Sequence, residues 1–269
     1  MDDKTEPAPL PVNMLWVGGS LSLIEQLSAQ SFLDAGHKVV LHTYEGVGNV
    51  PENVELADAN LVMDYSLVQR LRERKSGSYA LASDYFRYAL QLQNAGLWAD
   101  MDIICLKAVP KRKQTIMGWQ RMDSIASGLL YLDHKLPITS ELLGLFKEGY
   151  IPPWVPRKHA RKMRLKQWLP NRRICPAIMP WGTYGPEALT ALAYKHGIAQ
   201  QAEPISVFYP LEFSRATDIF DPNISLDSFV RENSLTIHLW NEALRRAELK
   251  DTRPHRNSPL GKLATRFGL

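Results

Sequence analysis

The sequence predicts an α/β fold that begins with a βαβ unit and parallel strands. Two observations point to it: strand, glycine loop, helix and strand follow in that order near the N-terminus, and a helix feeds a short apolar run ending in two carboxylates; the second half is less regular.

Val12 to Val17 reads as a buried strand ending in Gly18-Gly19, where backbone can turn sharply or come close to a ligand. Leu21 to Ala35 has helical spacing through Leu23, Ile24, Leu27 and Phe32, and Gly36 stops it. Lys38 to Thr43 is β-rich and closes the βαβ unit. Leu67 to Lys75 and Tyr79 to Gln93 read as helices, the second with apolar residues at Leu81, Ala82, Tyr85, Phe86, Ala89 and Leu90 and a stop at Gly96. Leu97 to Ala99 and Ile103 to Leu106 flank Asp100 and Asp102, which places the pair at a strand end, the edge where open α/β sheets bind ligands. Further on, Gly185-Pro186-Glu187 opens a helix that Gly197 closes, and Ser206 to Tyr209 and Leu235 to Trp240 read as strands. Residues 1 to 10 read as a frayed tail, 11 to 250 as one domain and 251 to 269 as a polar, basic tail.

A chain of 269 residues, 45% of them hydrophobic, can build a full core. No apolar run approaches the roughly 20 residues that span a bilayer. Cys105 and Cys175 make neither a disulfide framework nor a zinc site, and with no export signal a reducing cytoplasm is the simplest setting. The net charge of +4 is uneven: no acid lies between Gly149 and Pro186, while Arg157 to Arg173 holds eight Lys and Arg. Interleaved with Met163, Leu165, Trp168 and Leu169, these cations suit either a solvated face or peripheral contact with an anionic membrane. No nucleic-acid-binding module is visible.

Alternate residues of a strand share a face, so Asp100 and Asp102 can point the same way, and two hard carboxylates suit Mg²⁺ or Mn²⁺. Asp84 and Arg87, three apart on a helix, share a face as well. Strand alternation puts Thr236, His238 and Trp240 on one side. A solvated acidic turn, a surface ion pair and a hydrogen-bonded histidine are the plain alternatives.

Ala82-Ser83-Asp84 with Arg87, then Gly96, Trp98 and Asp100-Met101-Asp102, resembles the signature of the glycosyltransferases with a DXD motif in a sugar-binding region. This family-32-like group includes the initiation mannosyltransferase type, capsular polysaccharide and lipopolysaccharide sugar transferases and, more distantly, the glucosylating clostridial toxins. Trp16-Val17-Gly18-Gly19, Gly185-Pro186 and His238-Leu239-Trp240-Asn241 extend the resemblance over most of residues 12 to 245. It implies a GT-A fold, a Rossmann-like mixed sheet flanked by helices with a helical, irregular C-terminal part. It also implies a UDP- or GDP-sugar donor, a glycan or lipid-linked acceptor of surface polysaccharide synthesis, Mn²⁺ or Mg²⁺, and retention at the anomeric carbon.

Carried over residue by residue, Asp102 would bind the metal, and Asp100 would contact the ribose and sugar or reach the metal through water. Asp84 and Arg87 would hold the donor sugar. Trp16, beside Gly18, would stack on the nucleobase. His238 would complete the metal shell, with Trp240 and Asn241 against the diphosphate. Trp98, which the resemblance counts among the donor-binding residues with Gly18, stands where the family usually has Tyr, Ala95 replaces the first Gly of the usual pair, and the Asn usual between Met117 and Leu132, which faces the sugar, is missing, with Asp123, Ser124, Ser127 and Gly128 there instead.

Two other readings compete. Trp98 to Asp102 could be a haloacid-dehalogenase phosphatase motif, but Ile103-Ile104-Cys105 follows it and no late Asp-Asp appears. The chain could also be a non-catalytic nucleotide-sugar or membrane-surface binding protein, for which loss of the aspartates would argue, and both are present.

Overall fold

A computed structural model describes residues 9–73, 77–111, 114–166 and 173–269. Most of the tail expected over residues 1 to 10 lies outside these, as do Lys75, Trp168, Leu169 and Arg172.

In chain order the elements are β1 (Val12–Trp16), α1 (Leu23–Asp34), β2 (Val39–Thr43), β3 (Glu55–Asp58), α2 (Tyr65–Leu71), α3 (Ala80–Leu92), β4 (Leu97–Ala99), β5 (Ile103–Cys105), β6 (Thr115–Arg121) and β7 (Ser124–Leu132). Then follow α4 (Pro137–Gly144), α5 (Arg157–Lys166), α6 (Pro186–Lys195), α7 (Ile205–Phe208), β8 (Thr236–His238), α8 (Asn241–Arg246) and α9 (Pro259–Arg266). Among the described residues a six-stranded sheet runs β3-β2-β1-β4-β7-β6, and β5 and β8 form a separate antiparallel pair. β1 pairs parallel with both β2 and β4, and β7 joins β4 antiparallel. The mixed α/β sheet flanked by helices is therefore as the resemblance implies, while the residue pattern alone anticipates only its parallel strands.

The period-two pattern decides which layer each side chain enters. On β4, Leu97 and Ala99 face the layer of Phe32 and Met14, while Trp98 faces the layer of Phe86, Leu130 and Tyr184. α3, α4 and α6 cover that second face. α1 packs between the first face and a third cluster, where its Ile24 and Leu27 meet Ile104, Ile237, Leu239 and Leu263. Each fully buried Leu or Phe in these layers contributes about 1.5–3 kcal/mol. Ser22 starts α1: its backbone N–H donates to Glu25 Oε2 at 3.0 Å, closing the first turn.

Three expectations are corrected. Residues 205–208 are helical, not a strand: Pro204 precedes the turn, and Tyr209 N–H donates back to Ile205 O at 2.9 Å. The end of the chain is not a tail, because α9, capped by Ser258 on Gly261 N–H, buries Leu260, Leu263 and Ala264 against the third cluster. The carboxylate pair stands at the end of β4, as expected, but not in strand alternation, since the chain turns after Asp100 and Ile103 N–H donates to Asp100 O at 3.1 Å.

Candidate functional site

β1 and β4 lie side by side, and the chain order reverses between them, so the crevice beyond their C-terminal ends is a topological switch point. Trp16 ends β1, and Asp100 follows β4 directly. At Asp100 the chain leaves the large sheet; at Ile103 it enters the small one. The antiparallel register sets Ile103 opposite His238, and Leu239 N–H donates to Asp102 O at 2.8 Å. This pairing, not strand alternation, brings His238 to the aspartates. One ligand atom each from Asp100, Asp102 and His238 lies within 4.8 Å of the others.

Arg87 organises the floor beneath them. It is 4% exposed, and every nitrogen of its guanidinium is engaged. Nε lies 3.4 Å from Asp84 Oδ1 and donates to Ser83 O, Nη2 reaches Asp100 Oδ1 at 3.2 Å and Ser83 Oγ at 3.0 Å, and Nη1 donates to Ser127 O at 2.5 Å. The resemblance gave Arg87 to the donor sugar. Its donors are spent inside the protein instead, so it fixes the positions of Asp84 and Asp100. Two glycines make room for those carboxylates: a Cβ on Gly185 would sit 2.8 Å from Asp84 Oδ1, and one on Gly128 would sit 3.0 Å from Asp100 Oδ2.

Trp98 is also corrected. It is 1% exposed and packed beside Phe86, so it cannot touch a ligand; its indole N–H donates to Asp100 Oδ1 at 2.9 Å. Burial in the sheet's second layer turns it into a support for the carboxylate. β7, unforeseen in the sequence, supports the arginine and the aspartate. Its Ser127 carbonyl takes the Arg87 bond, and its Gly128 carbonyl accepts Asp100 N–H at 2.8 Å.

The carboxylates differ in charge state. Burial pushes Asp84 up to about 7, with Arg87 opposing and Asp100 adding to the rise. Burial also raises Asp100 against the pull of Arg87. Asp102 goes the other way: burial would raise it, but the His238 charge and hydrogen bonds from His238 and Asn241 hold it below the usual range. His238 is correspondingly raised, Asp102 outweighing the effect of burial.

Asp84 gives a pH prediction. Its folded value lies above the ordinary 3.8, so between about 4 and 7 the native state keeps a proton that the unfolded chain has lost. Asp84 therefore costs stability progressively as pH rises through that window. Urea midpoints measured from pH 4 to 8 should show Asp84→Asn gaining on the wild type as pH increases; a constant difference would contradict the raised value.

The other wall comes from β8 and α8. His238 Nε2 lies 3.1 Å from Asp102 Oδ1, and Asn241 N–H donates to Asp102 Oδ2 at 2.8 Å. Trp240 lies beyond the strand in left-handed backbone (φ 59°), which lays its ring 4.0 Å from that of His238 while its N–H donates to Leu211 O. Asn241 Nδ2 bonds Glu25 Oε1 at 3.1 Å, and Lys250 Nζ pairs with the same oxygen at 3.0 Å. Lys250 also sits over the Trp16 ring, 5.5 Å from its centre, and a Cβ on Gly18 would lie 3.1 Å from Trp16 Nε1. Sequence reasoning missed Glu25 and Lys250. Ser22-x-x-Glu25 signals a helix start, but nothing local shows that the fully buried carboxylate also holds Asn241 and Lys250.

Trp16 Nε1, His238 Nδ1 and Asn241 Oδ1 are buried and have no hydrogen-bond partner among the described residues. Such atoms cost free energy unless a ligand meets them. The donor set fits a divalent ion: two carboxylates with an imidazole suit Mn²⁺ better than Mg²⁺, which prefers oxygen. Asp100, Asp102 and His238 would hold it.

No protein-family model matches this chain, and no curated protein matches it. Among solved structures it is similar to the PaToxG glycosyltransferase, at 13% identity and a TM-score of 0.41, over 71% of this chain and 69% of that one. It is also similar to a mutant transferase, at 12% identity and a TM-score of 0.32, over 68% of this chain and 94% of that one. Neither likeness is close enough to bear on activity.

Proposed function

We propose that this protein is a GT-A glycosyltransferase that moves a sugar from a UDP- or GDP-sugar to a glycan or lipid-linked acceptor with retention. The observation that carries this reading is the meeting of Asp100, Asp102 and His238 at the β1/β4 switch point, in the crevice that begins at Trp16. A divalent ion bound there would neutralise the departing diphosphate as a Lewis acid.

The chain's own groups do the rest. Trp16 offers a ring for the nucleobase, and its unpartnered N–H a donor beside Gly18. Arg87 and Trp98 hold Asp100 in one orientation, and Asn241 N–H and His238 hold Asp102. Asp84, raised toward neutrality, stands beside Gly185 as an acceptor or donor for sugar hydroxyls. No dedicated nucleophile is required, because a leaving phosphate can take the acceptor's proton in front-face retention.

The phosphatase reading fares worse. Its second aspartate must give up a proton, whereas Asp102 is held ionised by His238 and Asn241.

The test is a panel of UDP- and GDP-sugars incubated with the protein and Mn²⁺, with nucleotide release followed by chromatography. Metal-dependent release from one donor is expected. If no nucleotide-sugar is consumed or bound with Mn²⁺, the reading fails.

A further inference from the structure

The described parts of the acid-free segment, residues 149–166 and 173–186, are tied together. Gly149 N–H donates to Ile174 O at 2.8 Å, Trp154 Nε1 donates to Thr183 O at 2.7 Å, and Ala160 and Met163 of α5 pack into the same core as Met179. With that side of α5 inward, Arg157, Lys158, Arg161, Lys162 and Leu165 line one open face, spaced as i, i+1, i+4, i+5 and i+8. Among the described residues none of these four cations makes an ion pair or hydrogen bond. The same segment shows large apolar side chains to solvent: Trp181 is 73% exposed, Leu165 64% and Ile178 42%. Unpaired cations with Leu165 on one helix face, and an exposed Trp and Ile later in the same segment, match the headgroup zone of an anionic bilayer, where charge attracts and apolar tips insert.

We propose that the exposed face of α5, with Trp181, docks this protein on an anionic lipid bilayer. This goes beyond sugar transfer and does not rest on it. A nucleic acid would also attract the cations, but it offers no apolar layer for Leu165 and Ile178.

Flotation of the full chain with phosphatidylglycerol or phosphatidylcholine vesicles tests it. Binding to the anionic vesicles is expected, at least about tenfold weaker on the zwitterionic ones and falling as salt rises. A variant with Arg157→Gln, Lys158→Gln, Arg161→Gln and Lys162→Gln should lose about a thousandfold in partitioning, its thermal melting unchanged. Brominated lipid should quench tryptophan fluorescence, and Trp181→Phe should remove most of that quenching. Equal binding to both vesicle types, unchanged partitioning of the fourfold variant, or binding to single-stranded RNA with none to vesicles would each overturn the proposal.

Discussion

Asp102→Asn is expected to cut turnover at least about a hundredfold while leaving the fold intact, because the several kcal/mol of charge stabilisation supplied through that carboxylate disappear. Asn keeps the size and one acceptor for Asn241 N–H, so the turn between β4 and β5 survives. What goes is the negative charge that Asp102 offers to a metal and to His238. Rates at saturating donor, Mn²⁺ affinity by calorimetry and far-UV circular dichroism should be measured together. Weakened Mn²⁺ binding with an unchanged spectrum supports the assignment; a wild-type rate removes Asp102 from the metal site. His238 gives an independent readout. Asp102 is what raises its imidazole, so the variant's His238 should titrate at a lower pH by NMR.

Arg87→Met should destabilise the protein by about 3–5 kcal/mol, the usual result of leaving buried carboxylates without their cation. Asp84 and Asp100 would face each other uncompensated, and Ser127 O would lose its donor. Arg87→Lys should recover only part of the loss. One ammonium supplies the charge but cannot reach Ser83, Asp84, Asp100 and Ser127 at once. Adding Asp84→Asn to Arg87→Met should restore some stability at alkaline pH, where Asp84 is ionised, by removing one stranded charge, a coupling that a double-mutant cycle in urea would measure. A cost below about 1 kcal/mol for Arg87→Met would mean that the guanidinium does not hold the two aspartates.

The first three elements and α3 were legible because their signals are local. A five-residue strand into Gly18-Gly19, the Leu27 and Phe32 spacing of α1 and the apolar face of α3 need no partner to be read. β6 and β7 were not. All nine residues of β7 are buried, so it lacks the alternation that marks a half-exposed strand, and its pairing partners lie up to 32 residues away. Residues 205–208 misled for the opposite reason: Ser206-Val207-Phe208-Tyr209 has β propensity, but the turn after Pro204 prevails. α9 was missed because its few apolar residues stand among Arg256, Lys262 and Arg266, which read as a tail until the third cluster gives Leu260 and Leu263 somewhere to go.

By itself the sequence determined which residue types can make a metal and sugar site and where along the chain they stand: Asp84, Arg87, Asp100, Asp102 and His238. Only the tertiary structure decided what each does. Trp98 became a core support, Arg87 a buried clamp, Gly128 and Gly185 clearances for carboxylates, and Glu25 with Lys250 a link between Asn241 and Trp16. The reason is distance along the chain. Spacing of a few residues shows which side chains share a face, whereas His238 meets Asp102 across 136 positions and Lys250 meets Glu25 across still more, and only a folded sheet closes such gaps.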